Sequence, residues 1–162
     1  MKIDLRPAIE SDISLLKEID NDSSMNTYDD WKIGEFDPEI ELIEMMNYRW
    51  KLNVPLYLII EADDEAVGYI QGTPHKYQQF EIGYYVVSRM NGKGIASESL
   101  KQFIEFAYDN GIHRCYCEID PRNVGSVTVA ERAGMVLEGT MKHSSQIRGD
   151  WTDDAIYAIV KE

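Results

Sequence analysis

Hydrophobic and polar positions alternate through residues 80–87, Phe80-Glu81-Ile82-Gly83-Tyr84-Tyr85-Val86-Val87. From Ile95 the pattern changes, and Leu100, Phe103, Ile104, Ala107 and Tyr108 fall on one stripe. Alternation by two marks a strand, and a repeat near 3.6 marks a helix. The chain therefore predicts a strand, a short turn and a well-formed helix, stopped by Asn110-Gly111.

The same reading covers the rest. Ile3 and Leu5 predict a first strand ending at Pro7, and Ser11-Asp12 starts a helix carrying Ile13, Leu15, Leu16 and Ile19. Residues 20–37 are polar and aperiodic. Asp37-Pro38 supplies an N-cap and a first-turn proline for a second helix with a stripe of Ile40, Ile43, Met46 and Trp50, widened by Leu42. Residues 56–61 and 66–72 predict a hairpin, with a turn at 74–77 before strand 80–87. A strand at 113–119, a helix at 123–133 and closing strands at 135–142 and 155–160 follow. The order is βααβββαβαββ, with no internal repeat, and 162 residues suit a single domain spanning 1–162.

Between strand and helix lies Arg89-Met90-Asn91-Gly92-Lys93-Gly94-Ile95-Ala96. Glycines let the backbone turn tightly and approach a ligand. The first amides of the following helix lack intrahelical partners and attract anions. A Walker-type loop needs Ser or Thr after the lysine and a glycine at position 87; the chain has Gly94 and Val87. A dinucleotide fingerprint needs glycine where Ser97 stands. A coenzyme A pyrophosphate loop of the form Q/R-x-x-G-x-G/A fits Arg89, Gly92 and Gly94. An ordinary glycine turn is the remaining alternative.

Composition narrows the partners. A net charge of −13 disfavours nucleic acid, which is held by clustered Lys and Arg. No apolar run approaches a membrane span, and the N-terminus lacks a signal-peptide core, so a cytoplasmic location is expected. Residues 20–44 carry nine acids against Lys32. Cys115 and Cys117 share one strand face and read as packing residues. The three histidines form no metal-ligand pattern, so no metal is expected.

Taken together, the element order, Arg89-x-x-Gly92-x-Gly94, Glu81-Ile82-Gly83-Tyr84, Asn123-x-x-Ser126 with Glu131-x-Ala133-Gly134-Met135 and Glu138-Gly139, and Gly149-x-Trp151-x-Asp153 with Tyr157 resemble the GNAT N-acetyltransferases. They are most similar to the Rim-type branch, which acetylates ribosomal-protein N-termini; Met135 replaces that branch's usual Phe. The resemblance implies an α/β (α+β) fold with a mostly antiparallel central sheet, splayed in a V between the fourth and fifth strands. It implies acetyl-CoA as acyl donor, bound by Val86, Val87, Arg89, Gly92, Lys93, Gly94, Ile95, Ala96, Asn123 and Ser126. The acceptor would be a primary amine, either a small molecule or a peptide N-terminus, with Asp29, Asp30, Trp31 and Glu35 on its side. A homodimer is common in the family, though no residue here demands one.

Acetyl transfer needs a base for the ammonium, an oxyanion donor and a proton for the thiolate. Glu81 is the candidate base and the amide at or near Val87 the candidate oxyanion donor. Many relatives place a tyrosine seven residues after the Asn, where this chain has Ala130; Ser126 and then Tyr157 become the candidate acids. Asn123 fits a helix N-cap as well as a donor ligand. A non-catalytic acyl-CoA-binding module is the alternative function.

Overall fold

The computed structural model describes residues 1–24, 27–30, 37–50 and 54–162. Its described strands are β1 (Ile3–Arg6), β2 (Arg49–Trp50), β3 (Val54–Pro55), β4 (Tyr57–Ala62), β5 (Glu65–His75), β6 (Gln79–Val86), β7 (Arg114–Ile119), β8 (Val136–Ile147) and β9 (Asp150–Val160). Its helices are α1 (Ile13–Asp20), α2 (Pro38–Asn47), α3 (Ile95–Asp109) and α4 (Val124–Arg132). Seven strands form one sheet in the order β1-β4-β5-β6-β7-β9-β8, and β2 and β3 form a separate small pair.

Every pairing in the large sheet is antiparallel except β6 with β7. That parallel pair holds register only at Gln79–Arg114, Phe80–Cys115 and Glu81–Tyr116. Beyond Glu81 the strands part, which is the expected V-shaped splay. Phe80 and Phe103 are fully buried behind the seam, with ring centroids 6.3 Å apart. Burying one such side chain contributes about 1.5–3 kcal/mol, so the closed end is firmly packed and the opening is confined to the other.

Three expectations change. The turn between β5 and β6 is tighter than the sequence suggests: Tyr77 and Gln78 both adopt positive φ, so His75 belongs to the strand. On α2 the stripe turns: Leu42 and Met45 are buried, whereas Ile40 and Ile43 are about 60% exposed. Two apolar stripes compete on this helix, and packing against α1 selects the second. The helix ends at Asn47, which moves Trp50 into β2 beside Phe80. Finally, β8 and β9 run longer than expected and meet at Arg148-Gly149, both at positive φ, the geometry of a two-residue hairpin turn.

The cysteines are buried and free, as their spacing suggests. Burial pushes the Cys115 thiol up to about 12 and Cys117 higher still, so both remain unreactive thiols near neutral pH.

Candidate active site

The splay opens into a cleft of about 790 Å³ running from the start of α3, past β6 and β7, to the segment 27–30. At one end stands the glycine loop. Gly92 and Gly94 have φ of +75° and +79°, and among the described residues nothing beyond the adjoining chain lies within 4 Å of where a Cβ would sit. Glycine is therefore favoured by the backbone conformation, and the space beside it is open. No side chain caps α3; the first amide with a helical carbonyl partner is that of Glu98. Three amides, from Ile95 to Ser97, thus face the cleft end with the positive pole of a fifteen-residue helix behind them.

The expected donor residues divide. Val86, Gly92, Gly94, Ile95, Ala96, Asn123 and Ser126 line the cleft; Val87, Arg89 and Lys93 do not. The Val87 side chain is buried and its amide donates to the Val67 carbonyl at 2.9 Å, so it is not free as an oxyanion donor. Strand amides alternate in direction, which turns the Val86 amide toward the splay instead. The Arg89 guanidinium pairs with Glu18 and Glu65, both at 2.8 Å, so this side chain anchors the loop to α1 and β5. Lys93 reaches the Met90 sulfur. Asn123 acts as the N-cap of α4, its Oδ1 accepting from the Ser126 amide at 3.1 Å, while also lining the cleft.

Glu81 lines the cleft where the strands part. Its Oε2 lies 3.0 Å from His75 Nε2 and accepts from the Tyr116 hydroxyl at 3.4 Å. Also lining the cleft, the Tyr84 phenol donates to the Ser126 carbonyl at 3.3 Å. Burial raises the Tyr84 pKa well above the usual phenol range, so it remains a proton-bearing group. Tyr157 is corrected: β9 lies between β7 and β8, and the ring is buried opposite Cys117 and Leu137, outside the cleft lining. Ala130, the position where the resemblance leads to the expectation of a tyrosine, is fully buried.

On the opposite side, Asp29 lines the cleft and accepts from the Tyr85 hydroxyl at 2.9 Å. Desolvation raises the Asp29 pKa and the Tyr85 bond partly offsets it. Asp30 faces away, taking the Arg148 amide at 2.6 Å and tying the segment to the β8–β9 hairpin. Trp31 and Glu35 lie outside the described residues. Sequence reading also missed Glu118, which lines the cleft; burial, then Glu81 and Asp154, raise its carboxyl. It missed Arg132, the one cation among the described cleft-lining residues. Alternation along β7 pointed to Glu118. Only the docking of α4 brings Arg132 to the cleft.

With this geometry in place, the chain matches the family described as acetyltransferase (GNAT) domain over residues 2–136. The chain belongs to the GNAT family. It is 33% identical over 103 residues to the probable N-acetyltransferase YjcK of Bacillus subtilis, covering 61% of this chain and 57% of that protein. It is 29% identical over 109 residues to YnaD of the same organism, an uncharacterized N-acetyltransferase, covering 65% of this chain and 63% of that one. The match thus spans less than two thirds of either relative. A spermidine N(1)-acetyltransferase of Escherichia coli is 20% identical over 92% of this chain and 81% of its own.

Solved structures carry the same fold. A GNAT acetyltransferase from Bacillus anthracis superposes with a TM-score of 0.85 at 23% identity, covering 99% and 95% of the two chains. The microcin C7 self-immunity acetyltransferase MccE, solved with acetyl-CoA and AMP, gives 0.84 at 21% identity, covering 99% and 93%. The ribosomal-protein-alanine N-acetyltransferase of Brucella melitensis gives 0.83 at 28% identity, covering 99% and 100%. The Rim-type likeness read from the motifs is borne out by this last GNAT protein. No helix among the described residues is long and apolar enough to cross a membrane.

Proposed function

We propose that this GNAT protein moves an acetyl group from acetyl-CoA to a primary amine. The observation that carries the reading is the continuity of one cleft, from uncapped helix amides at α3 to the Glu81 carboxylate at the mouth of the splay. An anion at one end and an ammonium at the other is the charge pattern the cleft accommodates.

The donor's phosphates would rest on the α3 amides, with Arg132 adding charge from α4, and its arm would pass between β6 and β7. Acetyl-CoA is a substrate here, and the relatives' complexes support its fit; MccE is described with acetyl-CoA bound. Glu81 takes a proton from the acceptor ammonium. The freed nitrogen lone pair attacks the thioester carbonyl, whose developing oxyanion meets a strand amide, with Val86 the best oriented. The attacking nitrogen gives up its second proton to water as collapse breaks the carbon–sulfur bond, and the departing thiolate takes a proton from Ser126 or water. Asp29, Glu118 and Glu81 give the acceptor end a negative field suited to an ammonium. A polyamine or a peptide N-terminus fits that field, and the spermidine and ribosomal-protein acetyltransferases among its relatives support the choice.

The test is thiol release from acetyl-CoA with spermidine, lysine, and tripeptides beginning with alanine or serine. At least one should release thiol above hydrolysis, and Glu81→Gln should lower kcat and change its pH profile while leaving acetyl-CoA affinity intact. Release no faster than hydrolysis with every amine would favour the non-catalytic module.

A further inference from the structure

Glu81 has company on its face of the sheet. The register sets Thr73 of β5 opposite Glu81 and Tyr116 of β7 beside it. His75 lies two residues beyond Thr73, on the same face. It is therefore a diagonal neighbour of Glu81, and such neighbours are within reach of long side chains. The reach is made: Nε2 stands 3.0 Å from Oε2. Tyr116 donates to the same oxygen, and its ring lies 5.8 Å from the imidazole. Tyr116 is pushed up to about 12 by burial and by the Glu81 and Glu118 carboxylates, so it holds its proton. Among the described residues no donor reaches Oε1.

We propose that His75 is a positioning residue for Glu81, fixing Oε2 so that Oε1 is presented to the acceptor nitrogen. The proposal rests on Glu81 acting as the base. An ionised carboxylate only accepts, so a neutral imidazole meeting it through Nε2 carries its proton there. His75 itself is not among the residues lining the cleft; it acts from behind Glu81. Its ring is 43% exposed, and the carboxylate it holds would otherwise be free to turn into solvent.

The surroundings give the contact a purpose. Burial, then the carboxylates of Glu81 and of Asp154 on β9, raise the Glu118 carboxyl on β7, so this face is crowded with acids. Arg114 lies over the Tyr116 ring at 5.7 Å, and its guanidinium is committed to Glu138. Repulsion from Glu118 would push an unheld Glu81 away from the splay. Two donors on Oε2 oppose that, and a glutamate carries enough rotamer freedom for the restraint to matter.

The experiment uses the amine with the highest turnover among those named above and compares His75→Ala, His75→Gln, Glu81→Gln and the His75→Ala/Glu81→Gln pair. His75→Ala should lower kcat about tenfold, the scale of one hydrogen bond to a charged group, with acetyl-CoA affinity by calorimetry unchanged. His75→Gln places an amide nitrogen at about the reach of Nε2 and should recover most of that loss. In the Glu81→Gln background, removing His75 should add nothing further. Unchanged kcat in His75→Ala, or losses that multiply in the double variant, would overturn the positioning role. Failure of the underlying reading looks different: Glu81→Gln with unaltered kcat and pH profile removes the base, whatever His75 does.

Discussion

Tyr85 and Asp29 are joined by a 2.9 Å hydrogen bond, phenol to carboxylate, that ties β6 to the segment following α1. The bond stabilises the ionised form of an acid that desolvation pushes the other way. Tyr85→Phe should therefore move the Asp29 titration to higher pH, measured by carboxyl-carbon NMR. Because the folded value is already raised, stability falls as pH climbs through the unfolded value and the full cost of the Asp29 charge stands above the folded one. That cost should grow in the variant at neutral pH and vanish below the unfolded value of about 4.

Gly94 adopts a φ that L side chains enter at a cost of about 1–2 kcal/mol, and the space beside it belongs to the cleft. Gly94→Val should weaken acetyl-CoA binding at least about tenfold by calorimetry. The thermal midpoint should fall by only several degrees, which separates a blocked ligand approach from unfolding.

Arg132 lines the cleft with no carboxylate partner among the described residues. Arg132→Glu should raise the acetyl-CoA dissociation constant about tenfold and flatten its dependence on salt. Stability should change by less than about 0.5 kcal/mol, as expected for an exposed site.

Asp12 is buried and takes both Arg6 Nη atoms, at 2.8 and 2.7 Å, with the Ile9 amide as third donor. Burial opposes its ionisation, but Arg6 and Ile9 outweigh it and the carboxyl lies below its usual range. Asp12→Ala should cost about 2–3 kcal/mol at neutral pH, because both Nη atoms of a partly buried guanidinium lose their carboxylate and only the Nε contact to Glu61 remains. A depressed acid stabilises above its unfolded value and loses that effect as pH falls through the folded one. The gap between wild type and variant in urea unfolding should therefore narrow below about pH 4.

Local signals carried far in this chain. Alternation fixed β6 and the face of Glu81, and turn chemistry fixed the glycine loop, because both depend on neighbours in sequence. What required the folded chain was the choice among local equals. Ile40–Ile43 and Leu42–Met45 are equally good stripes until α1 packs against one of them. Arg89 suits a phosphate as well as a carboxylate until Glu18 and Glu65 arrive from distant elements. His75 looked unremarkable because Tyr77 and Gln78, neither of them glycine, hide a tight turn that sets its register.

The contact between Arg148 and Asp30 spans 118 positions of sequence. The cleft wall beside Asp29 is thus fastened by a hairpin that leaves the ribosome long after the segment it holds. Its last strand, β9, must also slip into an interior place between β7 and β8. A nascent chain ending before that hairpin could present the glycine loop and Glu81, but neither the covering strand beside β7 nor the clasp on Asp30. The cleft wall at Asp29 and Asp30 is therefore completed only after the glycine loop and Glu81 have already emerged.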